Sequence, residues 1–386
     1  MKILYYSSTS FADCDFPLVK ALMEKGHNVT YLIELSPDSC HRTLFDIDNC
    51  LSVDDIIPAS TYKELAVYNC YMDMDKVYIM NRGGKGNNYL RAIRNTLKVA
   101  RFIREGHFEV LHTDMLFVAF QPLLYLLFRP WITTKHDPFP HSEEVSRKAN
   151  FYRKLSFRLC KRFVVLNHNQ LEFFCEYYRI PPSNVLVNRL GVYDNIHAFI
   201  RNDWHVRRYN VLFFGRITPY KGIEYLCEAM IKVHEIVPDA TLTIAGGGEF
   251  YFDISKYDHL PYIEIKNHFV EMEELAKLVY ECSVVACPYK EATQSGVIMT
   301  AFSMCKPVVA TKVGGLGEMV EHGKSGLMVE PCDTDSLANS IIKLFSDNNE
   351  LKRLSSYIKE EYFHGERSWG AIADKYINFY QKTLLG

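Results

Sequence analysis

The sequence lacks the features that mark several common classes of protein. None of its eleven cysteines forms a C-x-x-C pair, so the spacing of a zinc ribbon is missing. The odd number and scattered positions of the cysteines favour reduced thiols in the cytosol over the disulfide framework of a secreted domain. The first ten residues have neither a long apolar core nor a small-residue cleavage site. They predict a first β-strand rather than a signal peptide.

Strong charge and long apolar runs are also missing. The formal net charge is −2, with 48% hydrophobic and 23% charged residues, as in an average globular protein. This balance gives no global attraction to nucleic acid. The most apolar run, residues 116–128, is shorter than the roughly 20 residues that cross a bilayer. It predicts a buried helix, with a membrane-facing surface as the alternative.

What is present is an alternation of short apolar runs with helical patterns in both halves of the chain. A length of 386 residues suits two domains better than one core. Strands that alternate with helices of ten or more residues predict parallel sheets covered on both faces. We therefore predict an α/β protein of two Rossmann-like domains, joined within the polar stretch 195–209.

One candidate anion site follows a strand in the second half, in the segment VLFFGRITPYKGIEYL. A strand predicted at 210–214 ends in the glycine turn of Gly215, and Arg216 and Lys221 follow before a helix. Open α/β sheets bind ligands at the carboxyl ends of their strands. Arg216 offers paired hydrogen bonds to a phosphate and Lys221 a mobile charge. Read alone, the pattern also fits two surface cations at a strand–helix junction.

A second candidate element lies between residues 287 and 331, in the sequence CPYKEATQSGVIMTAFSMCKPVVATKVGGLGEMVEHGKSGLMVEP. Ser295, Gly296 and Val297 should begin a helix, and the N–H groups of a helix N-terminus bind anions. Glu291 lies in the loop before that helix.

Together these elements resemble the donor-binding half of family 4 glycosyltransferases, which are retaining enzymes of GT-B fold. The resemblance rests on the GR…KG element at 216–222, the glycines at 246–248, the acidic loop and helix at 291–306, and the terminal GG…E…G.SG…VEP run. It implies two Rossmann-like domains that face across a cleft. We expect the N-terminal acceptor-side domain at residues 1–200, the nucleotide-sugar-binding domain at 205–365, and a last helix at 366–386 that crosses back to the first domain.

The resemblance also assigns roles to single residues. Arg216 and Lys221 would stabilise the departing diphosphate, and Glu291 would contact the sugar. The family's second glutamate, expected eight positions later to hold the ribose, corresponds here to Thr300 at a spacing of nine. Glu291 also fits a solvated loop carboxylate.

Two further residues complete the predicted site. Phe269 lies in the loop that would read the base, where core packing is the alternative. His136, in TTKHDPFPHS, resembles the family's interdomain histidine that faces the transferred sugar. A structural role for this histidine is the alternative.

Four D-x-D patterns occur, at Asp13/Asp15, Asp46/Asp48, Asp73/Asp75 and Asp333/Asp335. None follows a strand as a metal-binding D-x-D would, so we predict no metal.

Seven basic residues between Arg147 and Arg162 accompany an apolar stripe, which predicts an amphipathic helix packed on the first domain. Contact with anionic lipid headgroups is the sharper alternative.

The sequence thus predicts a metal-independent hexosyltransferase without a cofactor. A UDP- or GDP-sugar would be the donor, and a saccharide or lipid-linked molecule the acceptor in surface polysaccharide or glycolipid synthesis. We expect it in the cytoplasm or at the inner face of the membrane, without nucleic-acid partners. A non-catalytic sugar-nucleotide-binding subunit is the alternative. A nicotinamide-dependent dehydrogenase is disfavoured because no G-x-G-x-x-G follows the first strand.

Overall fold

The computed structural model describes residues 1–35, 56–82, 88–115, 120–136 and 147–385. Asp46, Asp48, Asp137 and the start of the apolar run at 116–119 lie outside these ranges. The chain divides into two compact units, one of residues 1–191 and 369–386 and one of residues 192–368.

The first unit is built on an eight-stranded sheet in the order β3-β4-β2-β1-β5-β6-β7-β8. All neighbouring strands are parallel except β3, which runs antiparallel to β4. Its strands are β1 Lys2–Ser8, β2 Asn28–Leu35, β3 Ile56–Pro58, β4 Val77–Asn81, β5 Val110–Thr113, β6 Trp131–Lys135, β7 Arg162–Val165 and β8 Val185–Val187. Its first helices are α1 Ala12–Glu24, α2 Tyr89–Gly106, α3 Leu124–Leu127, α4 Arg147–Leu159 and α5 Leu171–Tyr178.

The second unit has a fully parallel sheet of six strands in the order β11-β10-β9-β12-β13-β14. The strands are β9 Asn210–Phe214, β10 Thr241–Ala245, β11 Ile263–Lys266, β12 Val284–Cys287, β13 Val308–Thr311 and β14 Gly326–Val329. The helices are α6 Ile223–Ile236, α7 Met272–Glu281, α8 Gly296–Ser303, α9 Leu316–Met319, α10 Thr334–Ser346 and α11 Asn348–Phe363. The central strands are fully buried, as the continuous Val/Ile/Leu runs of a parallel sheet require.

The final helix, α12 Trp369–Leu385, belongs to the first unit. It packs on α1, and Asn188 donates from its side-chain amide to the carbonyl oxygen of Ile372 at 3.2 Å. Its aromatic stripe is buried, with Tyr376 and Tyr380 at 2% and 0% exposure. This aromatic stripe therefore packs on the α1 side of the first sheet.

Two expectations need correction. The N-terminal segment of the first unit ends at Gly191 rather than near residue 200, because the residues after it pack on the second unit. There the Tyr193 amide donates to the Met299 carbonyl at 3.3 Å, and Ile196 packs with Ala276. The second correction concerns the apolar run that ends at residue 128. Its described part contains only a short helix, and Leu123, Leu126 and Leu127 are exposed.

Each sheet has a point where its strand order reverses. In the first sheet this point lies between β1 and β5, and in the second between β9 and β12. Loops leave such a point in opposite directions and open a crevice at the carboxyl ends of the strands. The residues that follow these four strands are thereby gathered into two clusters.

The packing of α4 yields a stability prediction. Phe157 is buried against the rings of Phe163, Phe174 and Tyr178, with centroids 5.5, 5.9 and 4.2 Å away. We expect Phe157→Ala to destabilise the first unit by about 3–5 kcal/mol, since it leaves a cavity among aromatic rings. Thermal denaturation measures the effect. Phe151→Ala on the same helix is the control, because Phe151 is 62% exposed and should leave the midpoint nearly unchanged. Equal shifts in the two variants would contradict this packing.

Candidate functional site

The reversal point of the second sheet brings the loops after β9 and β12 into direct contact. The amide of Lys290 donates to the carbonyl oxygen of Tyr220 at 2.7 Å. Gly222 has a φ of +65°, and a Cβ there would lie 2.1 Å from the carbonyl oxygen of Pro288. This close approach requires glycine. Gly222 of the KG pair therefore allows the backbones of the two loops to lie in contact.

Lys221 lies in this contact and is largely buried, at 9% exposure. Its Nζ donates to the hydroxyl of Tyr289 at 2.7 Å and lies 3.8 Å from the centroid of that ring. A lysine ammonium over an aromatic face is stabilised by the ring quadrupole. Tyr289 therefore fixes the position of the Lys221 charge.

The charge of Lys221 is nevertheless destabilised. Burial lowers the pKa of Lys221 to about 8; the Cys287 thiol opposes this shift, and the positive charge of Arg216 adds to it. Arg216 itself is exposed. Two cations held close together in a partly desolvated site favour an anion between or beside them. An anion beside the pair would favour the charged form of Lys221, and the role of the pair as a phosphate site stays a prediction.

The start of α8 lies against the same tyrosine. Ser295 is the N-cap residue, but its hydroxyl donates to the Tyr289 hydroxyl at 3.3 Å and makes no capping bond. Val297 lies 3.8 Å from the position of a Cβ on Gly215, whose φ is +115°. The structure therefore brings Gly215, Ser295, Gly296 and Val297 together beside Lys221. The dipole of α8 adds positive potential at this point.

Glu291 and Thr300 have less specific positions. Glu291 is exposed in the loop between β12 and α8. Thr300 is buried, and its hydroxyl donates to the carbonyl oxygen of Gly296 one turn earlier, at 2.9 Å. Its proton is therefore used inside the helix, and its oxygen remains as an acceptor. The sugar and ribose roles of these two residues stay predictions.

Phe269 is 49% exposed, so it is not a core residue. The backbone of Gly247 approaches it closely, with a Cβ position on Gly247 only 3.6 Å from the Phe269 amide nitrogen. Phe269 also lines a cavity of about 740 Å³ beside β11 and α7, together with Trp204 and Lys266. The core-packing alternative is thus excluded, and base recognition stays a prediction.

The reversal point of the first sheet gathers a second cluster around His136. Its Nε2 lies 2.8 Å from Oδ2 of Asp114, which follows β5, and its ring stacks on Phe11 with centroids 4.4 Å apart. Asp114 is 4% exposed. Burial alone would raise the pKa of Asp114, but the hydrogen bond and charge of His136 hold it at about 2. His136 is therefore oriented by an ionised carboxylate.

A second buried carboxyl group, Asp15 of α1, faces Asp114. The hydroxyl of Tyr5 lies 3.0 Å from Oδ1 of Asp15 and 2.8 Å from Oδ1 of Asp114, and Ser7 and Tyr31 also donate to Asp15. Burial raises the pKa of Asp15, and the charge of Asp114 raises it further. Two carboxyl groups this close share a proton. We assign that proton to Asp15, which leaves the negative charge on Asp114 beside His136.

The same cluster contains the donor types that bind Zn²⁺. One ligand atom each of Cys14, Asp15, Asp114 and His136 lies within 4.8 Å of the others. The hydroxyl donors already hold Asp15, and burial raises the pKa of the Cys14 thiol, which disfavours the thiolate that a metal requires. A shared proton thus satisfies the cluster as well as a cation would. The absence of a metal from the reaction stays a prediction.

Sequence reasoning missed three of these candidate positions. Tyr289 was contained in the quoted motif but was not recognised as the partner of Lys221. Asp114 directly follows a predicted strand, as ligand-binding residues of α/β sheets do. Asp15 was set aside as part of a D-x-D pattern. The position of a polar residue just after a strand could have indicated Asp114, whereas no pattern indicated Asp15.

Comparison with known proteins decides the family. The model for "Glycosyltransferase Family 4" matches residues 17–194, and the model for "Glycosyl transferases group 1" matches residues 208–347. The two matches together cover most of both units. The chain belongs to the family 4 glycosyltransferases.

Relatives of this glycosyltransferase agree with that placement. The uncharacterized glycosyltransferase MJ1178 of Methanocaldococcus jannaschii is 24% identical over 87% of this chain and 90% of its own length. The uncharacterized glycosyltransferase MJ1607 of the same organism is 32% identical, over 45% of each chain. The chain therefore spans less than half of one of these relatives and nearly all of the other.

A solved structure shows the same fold. Anabaena Alr3699/HepE, crystallised in complex with UDP, has a TM-score of 0.66 and 16% identity over 99% of this glycosyltransferase and 100% of that chain. At this identity the likeness concerns the fold alone. The two parallel α/β units are those of a GT-B glycosyltransferase. The predicted fold class is confirmed.

The lowered pKa of Lys221 gives a prediction on pH dependence. Because only the protonated amine attracts an anion, the affinity of this candidate site for a diphosphate group, with UDP as the probe, should fall as the pH rises through about 8, by up to about tenfold per pH unit. Titration calorimetry between pH 6 and 9.5 (about the range in which the amine loses its proton) measures it. In Lys221→Arg the guanidinium stays charged, so the falling limb should disappear even if the affinity is lower. A limb that persists in this variant would assign the titration to another group.

The proton assignment in the first unit gives a matched pair of variants. Asn at position 15 mimics a neutral carboxyl group, so Asp15→Asn should change stability little. Asp114→Asn removes the ionised partner of His136 and should cost about 1–3 kcal/mol of unfolding free energy. The folded-state pKa of Asp114 is depressed to about 2, so its contribution should be present above about pH 4 and be lost as the pH falls towards 2.

Denaturation of both variants at neutral and acid pH, with metal analysis of the purified protein, tests this assignment. The reverse order of stability would place the charge on Asp15. If the wild-type protein contained a stoichiometric metal and Asp15→Asn lost it, a metal ion rather than a shared proton would neutralise the two carboxyl groups.

Proposed function

We propose that this glycosyltransferase transfers a hexose-type sugar from a UDP- or GDP-sugar, with retention of anomeric configuration and without a metal ion. The acceptor is a hydroxyl group of a saccharide or lipid-linked molecule in surface polysaccharide or glycolipid synthesis. The proposal rests on one observation: Lys221 is held on Tyr289 close to Arg216 and to the start of α8. This arrangement supplies fixed positive potential where a diphosphate would carry its charge.

The chemistry that this site supports is stabilisation of a leaving group. When the bond between the sugar and the diphosphate breaks, negative charge grows on the phosphate oxygens. Arg216 offers guanidinium hydrogen bonds, Lys221 offers a charge, and the first turn of α8 offers backbone N–H groups. Because these groups are already in position, they need no reorganisation during the reaction. Two cations and a helix terminus then do the work that a divalent ion does in metal-dependent transferases.

Retention follows from attack on the face from which the diphosphate departs. In this scheme the acceptor oxygen bonds to the anomeric carbon, the bond from that carbon to the phosphate oxygen breaks, and the acceptor proton passes to the departing phosphate. No protein nucleophile is required. His136, oriented by Asp114 at 2.8 Å, is assigned to the hydroxyl groups of the transferred sugar. Phe269 is assigned to the base, and Glu291 to the sugar.

The basic helix α4 supports the proposal of a lipid-linked acceptor. Its sequence contains five basic residues and no acidic one, which would attract it to anionic headgroups. No helix in the described part of the chain has the length and apolarity needed to cross a bilayer. We propose a cytoplasmic enzyme that contacts the inner face of the membrane peripherally, on the basis of the charge of α4.

The non-catalytic alternative is favoured by one observation, the use of the Thr300 hydroxyl within α8. Without a carboxylate at this position, the chain would bind a sugar nucleotide as the subunit of a complex. Release of free sugar or transfer by the purified chain alone would contradict this alternative. Binding without either reaction would support it.

Thermal-shift measurements with UDP, GDP and their sugars, with and without EDTA, test the proposed donor site. We expect a nucleotide to raise the melting temperature equally in both conditions. Lys221→Ala should lower the transfer rate by about a hundredfold or more, since it removes one charge-stabilising donor.

The control is Lys290→Ala. Lys290 lies in the adjacent loop, is paired with Glu224 at 3.0 Å, and should leave transfer nearly unchanged. Full activity of Lys221→Ala would overturn the assignment of the phosphate site, and restoration by Mg²⁺ after EDTA treatment would overturn metal independence.

A further inference from the structure

Three helices of the first unit form one layer on the same face of its sheet. Val99 of α2, Leu124 of α3 and Phe157 of α4 belong to a single hydrophobic cluster that includes Leu4 of β1 and Leu111 of β5. The short helix α3 contacts both α2 and α4. Since the inner sides of the three helices share one core, their outer sides form one continuous surface. We call this surface the α2–α4 face.

The α2–α4 face exposes large apolar side chains. On α2, Leu90 is 80% and Leu97 is 64% exposed. On α3, Leu126 and Leu127 are 52% and 60% exposed, and Phe151 of α4 is 62% exposed. Single exposed leucines are ordinary, but a contiguous group on one face marks an interaction surface.

These apolar residues have regular positions on α2. Leu90, Ile93 and Leu97 are three and four residues apart, so they line one side of the helix. Asn95, Val99 and Ile103 are buried against the sheet on another side. The helix thus has one apolar stripe in the core and a second stripe towards solvent. The core explains only the first.

The charge of the face is strongly biased. The sequence of α2 contains five basic residues and one acidic residue, and α4 contains five basic residues and no acidic one. The whole chain, in contrast, has a net charge of −2. Positive charge is therefore concentrated on α2 and α4, the two helices that contact α3. A partner with an apolar interior and an anionic surface complements both properties.

We propose that the α2–α4 face is a docking surface for an anionic lipid bilayer, into which the exposed leucines of α2 and α3 insert at the level of the headgroups. An amphipathic surface of this kind buries its apolar side chains at the acyl boundary while its basic residues contact the phosphates. This inference rests on the proposed peripheral membrane contact. It extends that contact from the charge of α4 to the apolar residues of α2 and α3.

Sedimentation with lipid vesicles tests the proposal on the full chain. The probes are vesicles of phosphatidylcholine alone and vesicles that also contain phosphatidylglycerol. The wild-type protein should bind the anionic vesicles more tightly. The double variant Leu90→Ser/Leu97→Ser should lose about tenfold or more in binding, because two apolar side chains no longer transfer from water. Leu126→Ser/Leu127→Ser should lose a similar amount.

Two control variants separate apolar insertion from other effects. Ile236→Ser replaces an apolar residue of similar exposure, 63%, on α6 of the second unit, and should bind as the wild type does. Lys154→Gln/Arg158→Gln on α4 removes charge and should weaken binding to anionic vesicles only. A melting temperature close to that of the wild type, measured without ligand, shows that each variant is folded.

The outcomes are distinct. Wild-type affinity of both leucine variants would overturn the inference, even if the charge variant confirmed the contact through α4. Equal binding to neutral and anionic vesicles would overturn the electrostatic part. If the leucine variants instead abolished a concentration-dependent dimer and left vesicle binding unchanged, the face would be an interface between two copies. Transfer to a soluble acceptor, measured on the same variants, reports on the proposed reaction independently of docking.

Discussion

The parallel pairing of β9 with β12 is the constraint on which the candidate donor site depends. These strands are 70 residues apart in sequence, yet Val284 and Val285 align with Val211 and Leu212. Their carboxyl ends consequently open at the same edge, and the loops that follow place Lys221 on Tyr289. Without this register, the GR…KG element and the start of α8 would be two separate weak motifs. The sheet turns them into one electrostatic site.

The two clusters deal with buried charge in opposite ways. In the second unit, burial and Arg216 destabilise the ammonium group of Lys221, which leaves the site short of negative charge. In the first unit, two carboxyl groups face one another, and a shared proton relieves the repulsion while Asp114 stays ionised beside His136. A buried cation such as Lys221 attracts an anionic ligand. A satisfied carboxylate–histidine pair instead holds one side chain in a fixed orientation.

The exposed leucines around α3 illustrate how a sequence pattern can mislead. The run that ends at residue 128 is strongly apolar and therefore predicts burial. In the structure, Leu124 and Tyr125 enter the core, while Leu123, Leu126 and Leu127 face outwards. A helix of four residues cannot turn all its side chains to one side. The same composition thus serves a core on one side and a lipid surface, in our proposal, on the other.

The sequence alone determined the two α/β domains, the strand at 210–214, and the cations and helix start of the candidate donor site. It could do so because parallel strands are continuous apolar runs and because glycines mark the turns that follow them. Only the tertiary structure revealed Tyr289 as the partner of Lys221 and joined Asp15, Asp114 and His136 into one network. It alone also placed the domain boundary at residue 191, and Leu126 and Leu127 of α3 at the surface. These features depend on strands and helices that are distant in sequence, and no local pattern records which of them become neighbours.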